Sequence, residues 1–137
     1  YIKLMNEAIK DYDKSIELNN NINAYNNRGL AKYYLANCKK EDKEEYIKLM
    51  NEAIKDYDKS IELNNNINAY YNRGNAKIKL QKVEEAIKDF IKAYELNNNN
   101  EIKEKAKSQL INLAKEKHEA AIKFCEEHNI DYKNYKE

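Results

Sequence analysis

The chain has 137 residues, of which 42% are apolar and 36% are charged, and its 25 basic side chains nearly balance its 24 acidic ones. This composition excludes a disordered chain and argues against a nucleic-acid or anionic-membrane partner, and no apolar run is long enough to span a membrane. With no Pro and two Gly, the chain is expected to be all-α. Its two distant cysteines favour reduced, packed thiols and a cytoplasmic location over a disulfide framework.

A stretch of 25 residues, YIKLMNEAIKDYDKSIELNNNINAY, occupies residues 1–25 and returns unchanged at residues 46–70, so the repeat period is 45. A shorter third copy follows, in which AIKDF at residues 86–90 corresponds to AIKDY. Units of this size usually stack on their own copies, because one unit cannot bury its apolar face alone. The first copy opens inside a helix without an initiating Met, so we expect a fragment of a longer array.

Apolar side chains spaced by three and four residues predict six helices in chain order. They cover about residues 4–18, 22–38, 46–63, 67–80, 84–96 and 101–128. Asn clusters at residues 19–21 and 64–66 are expected to end one helix in the left-handed conformation and to cap the next. Gly29, inside the second helix, predicts a close helix approach that offsets the low helix propensity of Gly.

The C-terminal segment has a continuous apolar stripe and predicts one long capping helix from about Glu101 to His128. Its Lys and Glu residues would give the array a polar end. If residues 120–125 are a decayed copy of the repeat, the segment would instead split into two helices near residues 115–118.

Residues 69–77, with the sequence AYYNRGNAK, and the positions that follow them resemble the tetratricopeptide repeat. The matching positions are Tyr70, Gly74, Ala86, Phe90 and Ala93. The preceding copy matches through Tyr25, Gly29, Ala53, Tyr57 and Ser60, with 12 additional residues between Tyr25 and Ala53 that are expected to lengthen both helices. The chain departs from the family at Arg28 and Arg73, where Leu is preferred, and at Asn65 and Asn98, where Pro is preferred.

The resemblance implies an all-α, right-handed solenoid of antiparallel helix pairs with about six helices. In this interpretation the chain is one array, divided into the second helix of a truncated repeat, an extended repeat, a repeat of standard length, and a capping helix with a tail. These parts cover residues 1–21, 22–66, 67–100 and 101–137.

The resemblance also implies a scaffold that has no catalytic activity or cofactor and binds a peptide or partner protein in a concave groove formed by the first helix of each pair. The groove residues that it indicates are Asn23, Asn26, Asn27, Leu30, Tyr33, Tyr34, Asn68, Tyr71, Asn72, Asn75, Ile78 and Lys79. Asn27 and Asn72 are the strongest candidates, because a carboxamide can pair with both the N–H and the C=O of a peptide. Lys79 is the one cation in the set, which disfavours a clamp for the carboxylate tail of chaperones.

Two alternative functions stay open at this point. The near-identical units could associate between chains and serve as a structural spacer, or the array could regulate a catalytic domain outside this sequence.

The two arginines, Arg28 and Arg73, are expected to pair with aspartates at equivalent positions of the second helices, rather than with a ligand. These aspartates are Asp11, Asp56 and Asp89. His118, Cys125 and His128 have a helical spacing that could hold a metal ion, but without a fourth ligand we interpret the spacing as coincidental and predict no metal site.

Overall fold

The computed structural model describes residues 1–96 and 98–135, which form seven helices and no strand. The helices are α1 (Ile2–Leu18), α2 (Ile22–Asn37), α3 (Lys43–Leu63), α4 (Ile67–Lys79), α5 (Val83–Leu96), α6 (Asn100–Lys115) and α7 (Glu119–Glu127). Each packs against the next helix along the chain, which confirms an all-α solenoid of helix pairs. None of the helices in the described ranges combines the length and the apolar character that crossing a membrane requires.

Asparagines cap three of the helices, as their clustering in the sequence predicts. The side-chain oxygens of Asn21 and Asn66 accept hydrogen bonds from the backbone N–H groups of Asn23 and Asn68 at 2.9 and 3.0 Å. Asn99 accepts the N–H of Ile102 at 3.2 Å. Because the first N–H groups of a helix have no partner within it, each cap satisfies one of them.

The predicted left-handed ending by asparagine is wrong for α1 and α3, which end in identical sequence. Asn19 and Asn64, which follow α1 and α3, are extended, with φ of −156° and −168°. Among the described residues, those with a left-handed backbone are instead Gln81, Lys117 and Asn129, with φ of 63°, 71° and 57°.

The prediction of one long C-terminal helix is wrong, and residues 1–96 and 98–135 form seven helices rather than about six. The segment divides between α6 and α7, within the span that the alternative prediction gave. At the break, Lys117 is left-handed and the N–H of His118 donates to the C=O of Leu113 at 3.1 Å. The turn after α4 uses the same arrangement, with the N–H of Lys82 donating to the C=O of Lys77 at 2.9 Å.

The expected polar face is present on α7, where Glu119, Lys123, Glu126 and Glu127 are exposed.

The two glycines allow an aromatic ring to lie directly against a helix backbone. A Cβ added to Gly29 would lie 2.7 Å from Cε1 of Tyr57, and one added to Gly74 would lie 2.6 Å from Cε1 of Phe90. Both rings are fully buried, so neither has room to move aside. The close helix approach predicted at Gly29 is therefore confirmed, and it recurs at Gly74.

The identical segments of α1 and α3 are buried to different extents. Leu49 in α3 is 7% exposed and Met50 is fully buried against the α2–α3 core, whereas Leu4, the copy of Leu49, is 63% exposed. In α3 both residues belong to this core, whereas in α1 Met5, the copy of Met50, is only partly buried against it. The same residues therefore form a core face in α3 and an open face in α1.

This difference predicts unequal effects of the same substitution in identical local sequence. We expect Leu49→Ala to lower the free energy of unfolding by about 2 to 3 kcal/mol, because it removes buried methyl groups and leaves a cavity. Leu4→Ala should change it by less than about 0.5 kcal/mol. Urea unfolding followed by circular dichroism measures both, and equal losses would contradict the assigned burial.

The break between α6 and α7 makes a second prediction. Lys117→Gly should raise the free energy of unfolding by about 1 kcal/mol, since glycine adopts the left-handed conformation without steric cost. Glu104→Gly, at an exposed position inside α6, should lower it by about 1 kcal/mol. In a continuous helix both substitutions would be destabilising, so the opposite signs in thermal or urea unfolding test the break.

Candidate functional site

A cleft of about 540 Å³ runs across α2, α4 and α6. These three helices alternate along the chain with α3 and α5, and α4 contacts both α2 and α6. The cleft is lined by Asn26, Asn27, Leu30, Tyr33, Tyr34, Tyr57, Asn68, Tyr71, Asn72, Asn75, Ile102 and Lys105.

Nine of the twelve residues that the sequence indicated for a groove line this cleft. The other three, Asn23, Ile78 and Lys79, lie outside its lining. Asn23 is exposed in the first turn of α2, Ile78 packs against the core of the C-terminal helices, and Lys79 is the exposed last residue of α4. The structure thus brings together residues that are about 45 positions apart in the sequence.

The sequence interpretation missed three lining residues, Tyr57, Ile102 and Lys105. Ile102 and Lys105 each follow a predicted groove residue, Asn68 and Tyr71, by 34 positions, which is the standard length of the repeat. Interpreting the C-terminal segment as a helix pair would therefore have found both. Tyr57 matches an aromatic core position of the repeat, and no sequence signal indicated that it reaches the cleft.

Carboxamides link the walls of the cleft. Nδ2 of Asn72 donates to Oδ1 of Asn26 at 3.1 Å, which joins α4 to α2. Nε2 of Gln109 donates to Oδ1 of Asn75 at 3.3 Å, which joins α6 to α4. Asn27 is exposed and forms no side-chain hydrogen bond within the described ranges, so its carboxamide faces solvent with both a donor and an acceptor available.

The lining of the cleft is almost free of charge. Lys105 is its one ionisable cation, and Nζ of Lys105 lies 3.2 Å from Oε1 of Glu101 on the same helix. The remaining lining residues are carboxamides, tyrosines and aliphatic side chains. Burial raises the pKa of Tyr33, and that of Tyr57 more strongly, so these phenols keep their protons at neutral pH.

The walls are held in place by arginine–aspartate pairs on the side of the helices outside the cleft. Nε and Nη2 of Arg28 donate to the two carboxylate oxygens of Asp56 at 2.9 and 2.7 Å, and its Nη1 donates to Asp13 at 2.8 Å. The hydrogen bond to Asp56 is the largest effect that raises the pKa of Arg28. One guanidinium therefore joins α2 to both α1 and α3.

Arg73 repeats this arrangement one unit further along. It binds both carboxylate oxygens of Asp89 at 3.0 and 2.7 Å and contacts Asp58 at 2.8 Å, which joins α4 to α5 and α3. Burial alone would lower the pKa of Arg73, but its hydrogen bonds to the two aspartates raise it.

A comparison with protein-family models finds the tetratricopeptide repeat at residues 67–100, a match that spans α4, α5 and the start of α6. Over these residues the chain is similar to one tetratricopeptide repeat. Such repeats generally mediate protein–protein interaction and are typically non-catalytic. A search of curated proteins found no match.

Arg73, which lies within the matched repeat, has a structural role, and so does Arg28, its counterpart in α2. The predicted pairs Arg28–Asp56 and Arg73–Asp89 are confirmed, and neither arginine lines the cleft. The third predicted aspartate, Asp11, forms no pair with either arginine. The additional partners Asp13 and Asp58 were missed, although they occupy equivalent places in the two identical copies.

The His and Cys residues of the C-terminal segment lie in separate surroundings. His118 precedes α7 as its N-cap, and Cys125 is a buried free thiol. Nδ1 of His128 lies 2.8 Å from the C=O of Phe124. No group of three potential metal ligands occurs in residues 1–96 and 98–135. Cys38 is exposed, so the prediction of packed thiols is wrong for this residue.

The two carboxylates that bind Arg73 should contribute unequally to stability. Asp89→Asn should lower the free energy of unfolding by about 3 kcal/mol, because it leaves a half-buried guanidinium without its bidentate partner. The Asp89 side chain is 5% exposed, whereas that of Asp58 is 54% exposed. Asp58→Asn should therefore lower the free energy by about 0.5 kcal/mol or less. Urea unfolding at low and high salt measures both, and equal effects would contradict the assigned roles.

Proposed function

We propose that this chain is a non-catalytic scaffold that binds an extended segment of a partner protein in the cleft across α2, α4 and α6. The observation that carries the proposal is that nine of the residues indicated by the resemblance, from two helices, line one cleft. General protein binding by tetratricopeptide repeats supports it.

The cleft has the chemistry that an extended peptide requires. A peptide in this conformation presents N–H and C=O groups along its length, and the exposed carboxamide of Asn27 can pair with both. In Asn72, Nδ2 is already bonded to Asn26, so its Oδ1 is the atom that can accept a peptide N–H. The tyrosines Tyr33, Tyr34 and Tyr71 supply large, rigid surfaces with polar ends, which suit contact with partner side chains.

The cleft also continues beyond these residues. A second concavity along α6 shares Tyr71 and Lys105 with the first and is otherwise lined by Glu101, Glu104, Ser108, Gln109 and Asn112. An extended segment leaving the cleft at Tyr71 would therefore meet a further polar surface.

Preorganisation is the source of affinity in this mechanism. The ion pairs of Arg28 and Arg73 and the bond between Asn26 and Asn72 hold the cleft walls before any partner arrives. Binding then costs mainly the ordering of the partner segment.

A second candidate function is self-association, which the open face of α1 favours. Tyr1, Ile2 and Leu4 are exposed large apolar residues at the N-terminal end of α1, and Leu49, the copy of Leu4 in α3, is packed in a core. Two chains could cover these faces by packing α1 against α1 in a symmetric dimer. The chain would then act as a spacer within an assembly.

The proposed function predicts a loss of peptide binding in an Asn27→Ala, Asn72→Ala double variant. Peptides are first selected from a displayed random library with the wild-type chain, and their affinities are then measured by calorimetry. We expect the double variant to bind about 10 to 30 times more weakly, since each lost hydrogen bond contributes about 1 kcal/mol. An Asn23→Ala, Lys79→Ala variant is the matched control, because both residues lie outside the cleft lining.

Equal weakening in the control, or unchanged binding in the double variant with its helicity intact, would contradict the cleft assignment. Light scattering across a range of concentrations on the same samples tests the second candidate. A mass that rises with concentration in the wild type, and stays monomeric in Leu4→Glu, would favour self-association.

A further inference from the structure

The hydroxyl group of Tyr57 is a buried polar group at the cleft whose role the fold does not explain. Tyr57 is 0% exposed and lines the cleft, yet its hydroxyl forms no hydrogen bond within residues 1–96 and 98–135. Buried hydroxyls normally have a partner, because removing one from water without a replacement is unfavourable.

Packing does not require this hydroxyl. The equivalent position in the tetratricopeptide repeat is Phe90, whose ring lies against Gly74 as the ring of Tyr57 lies against Gly29. Phe90 is also fully buried, but it does not line the cleft. The same ring packing is therefore achieved without an oxygen, and of the two residues the one that carries a hydroxyl is the one that lines the cleft.

The surroundings of Tyr57 define what this hydroxyl can bind. Its neighbours in the lining include Leu30, Tyr33 and Tyr34, and the two tyrosine rings are 5.6 Å apart in an edge-to-face arrangement. Tyr57 keeps its proton, since burial raises its pKa well above the usual value, and its hydroxyl is therefore able to donate.

The ligand class follows from the charge of the site. Placing a carboxylate against a buried phenol would remove a charge from water, and the one cation of the lining, Lys105, is an exposed side chain on α6. An uncharged oxygen, such as a main-chain carbonyl or a side-chain carboxamide, accepts a hydrogen bond without that cost.

We propose that Tyr57 is a ligand-binding residue of the cleft, whose hydroxyl donates to an uncharged carbonyl oxygen of an extended partner segment. This inference rests on the proposed function and adds a residue and a ligand class to it. The bound part of the partner carries no net charge, so its affinity changes little with salt.

The probes for testing this inference are two libraries of dodecapeptides with acetylated and amidated ends. The first library contains only uncharged residues, including Asn, Gln, Ser and Tyr. In the second library, half of the positions in each peptide are Asp or Glu. We expect the wild-type chain to enrich peptides from the uncharged library, with affinities that change less than about twofold between low and high salt.

Tyr57→Phe is the decisive variant, because Phe90 shows that phenylalanine fits the same packing position. We expect it to bind the enriched peptides about 5 to 10 times more weakly and to unfold at an unchanged or higher urea concentration. Tyr12→Phe, the same substitution in the identical copy on α1, is the matched control and should bind like the wild type.

Three outcomes would overturn the inference while leaving the proposed function in place. Tyr57→Phe could bind like the wild type while the Asn27→Ala, Asn72→Ala variant loses binding. It could unfold at a lower urea concentration, which would show that the hydroxyl is already hydrogen-bonded in the free protein. Enrichment of acidic peptides would overturn the ligand class. If the wild-type chain binds neither library, the proposed function and the inference both fail.

Discussion

The contact between a glycine and an aromatic ring is the constraint on which the rest of this structure depends. Because Gly29 and Gly74 have no side chain, the rings of Tyr57 and Phe90 lie against the helix backbone, and each hairpin closes around a fully buried ring. A methyl group at either glycine would meet its ring at less than 3 Å and force the two helices apart. The close approach also brings Tyr57 to the cleft, so the packing of α2 on α3 helps to form the site.

Charge pairing then sets how one hairpin sits on the next. Each arginine holds an aspartate of its own hairpin and another from the preceding helix, and half-buried charges of this kind need partners with good geometry. Because neighbouring hairpins are held in this position, Asn26 of one and Asn72 of the next lie within hydrogen-bond distance. This series of arginine–aspartate pairs stops at α5. The position that corresponds to Asp13 and Asp58 is Ile91 in α5, and Ile91 packs against the core.

The first five helices were predictable because their signals are local. Apolar spacing located them, and the asparagines that begin α2 and α4 were recognisable as caps. The sequence favoured one continuous helix over a break after α6 for two reasons. The apolar stripe runs through the turn, and the left-handed residue there is Lys117, whereas glycine usually occupies such a position. That one error also removed Ile102 and Lys105 from the expected groove, because their positions follow from a helix pair.

The identical segments at residues 1–25 and 46–70 separate what the sequence by itself determined from what only the tertiary structure decided. Helix formation, its apolar face and the Asn-rich turn depend on neighbouring residues, so both copies share them. Burial depends on which other helix lies alongside, so Leu49 is in a core and Leu4 is in solvent. For the same reason the sequence indicated Tyr57 only as a core residue. Its position in the cleft, with a hydroxyl that has no partner among the described residues, arises from the stacking of distant helices.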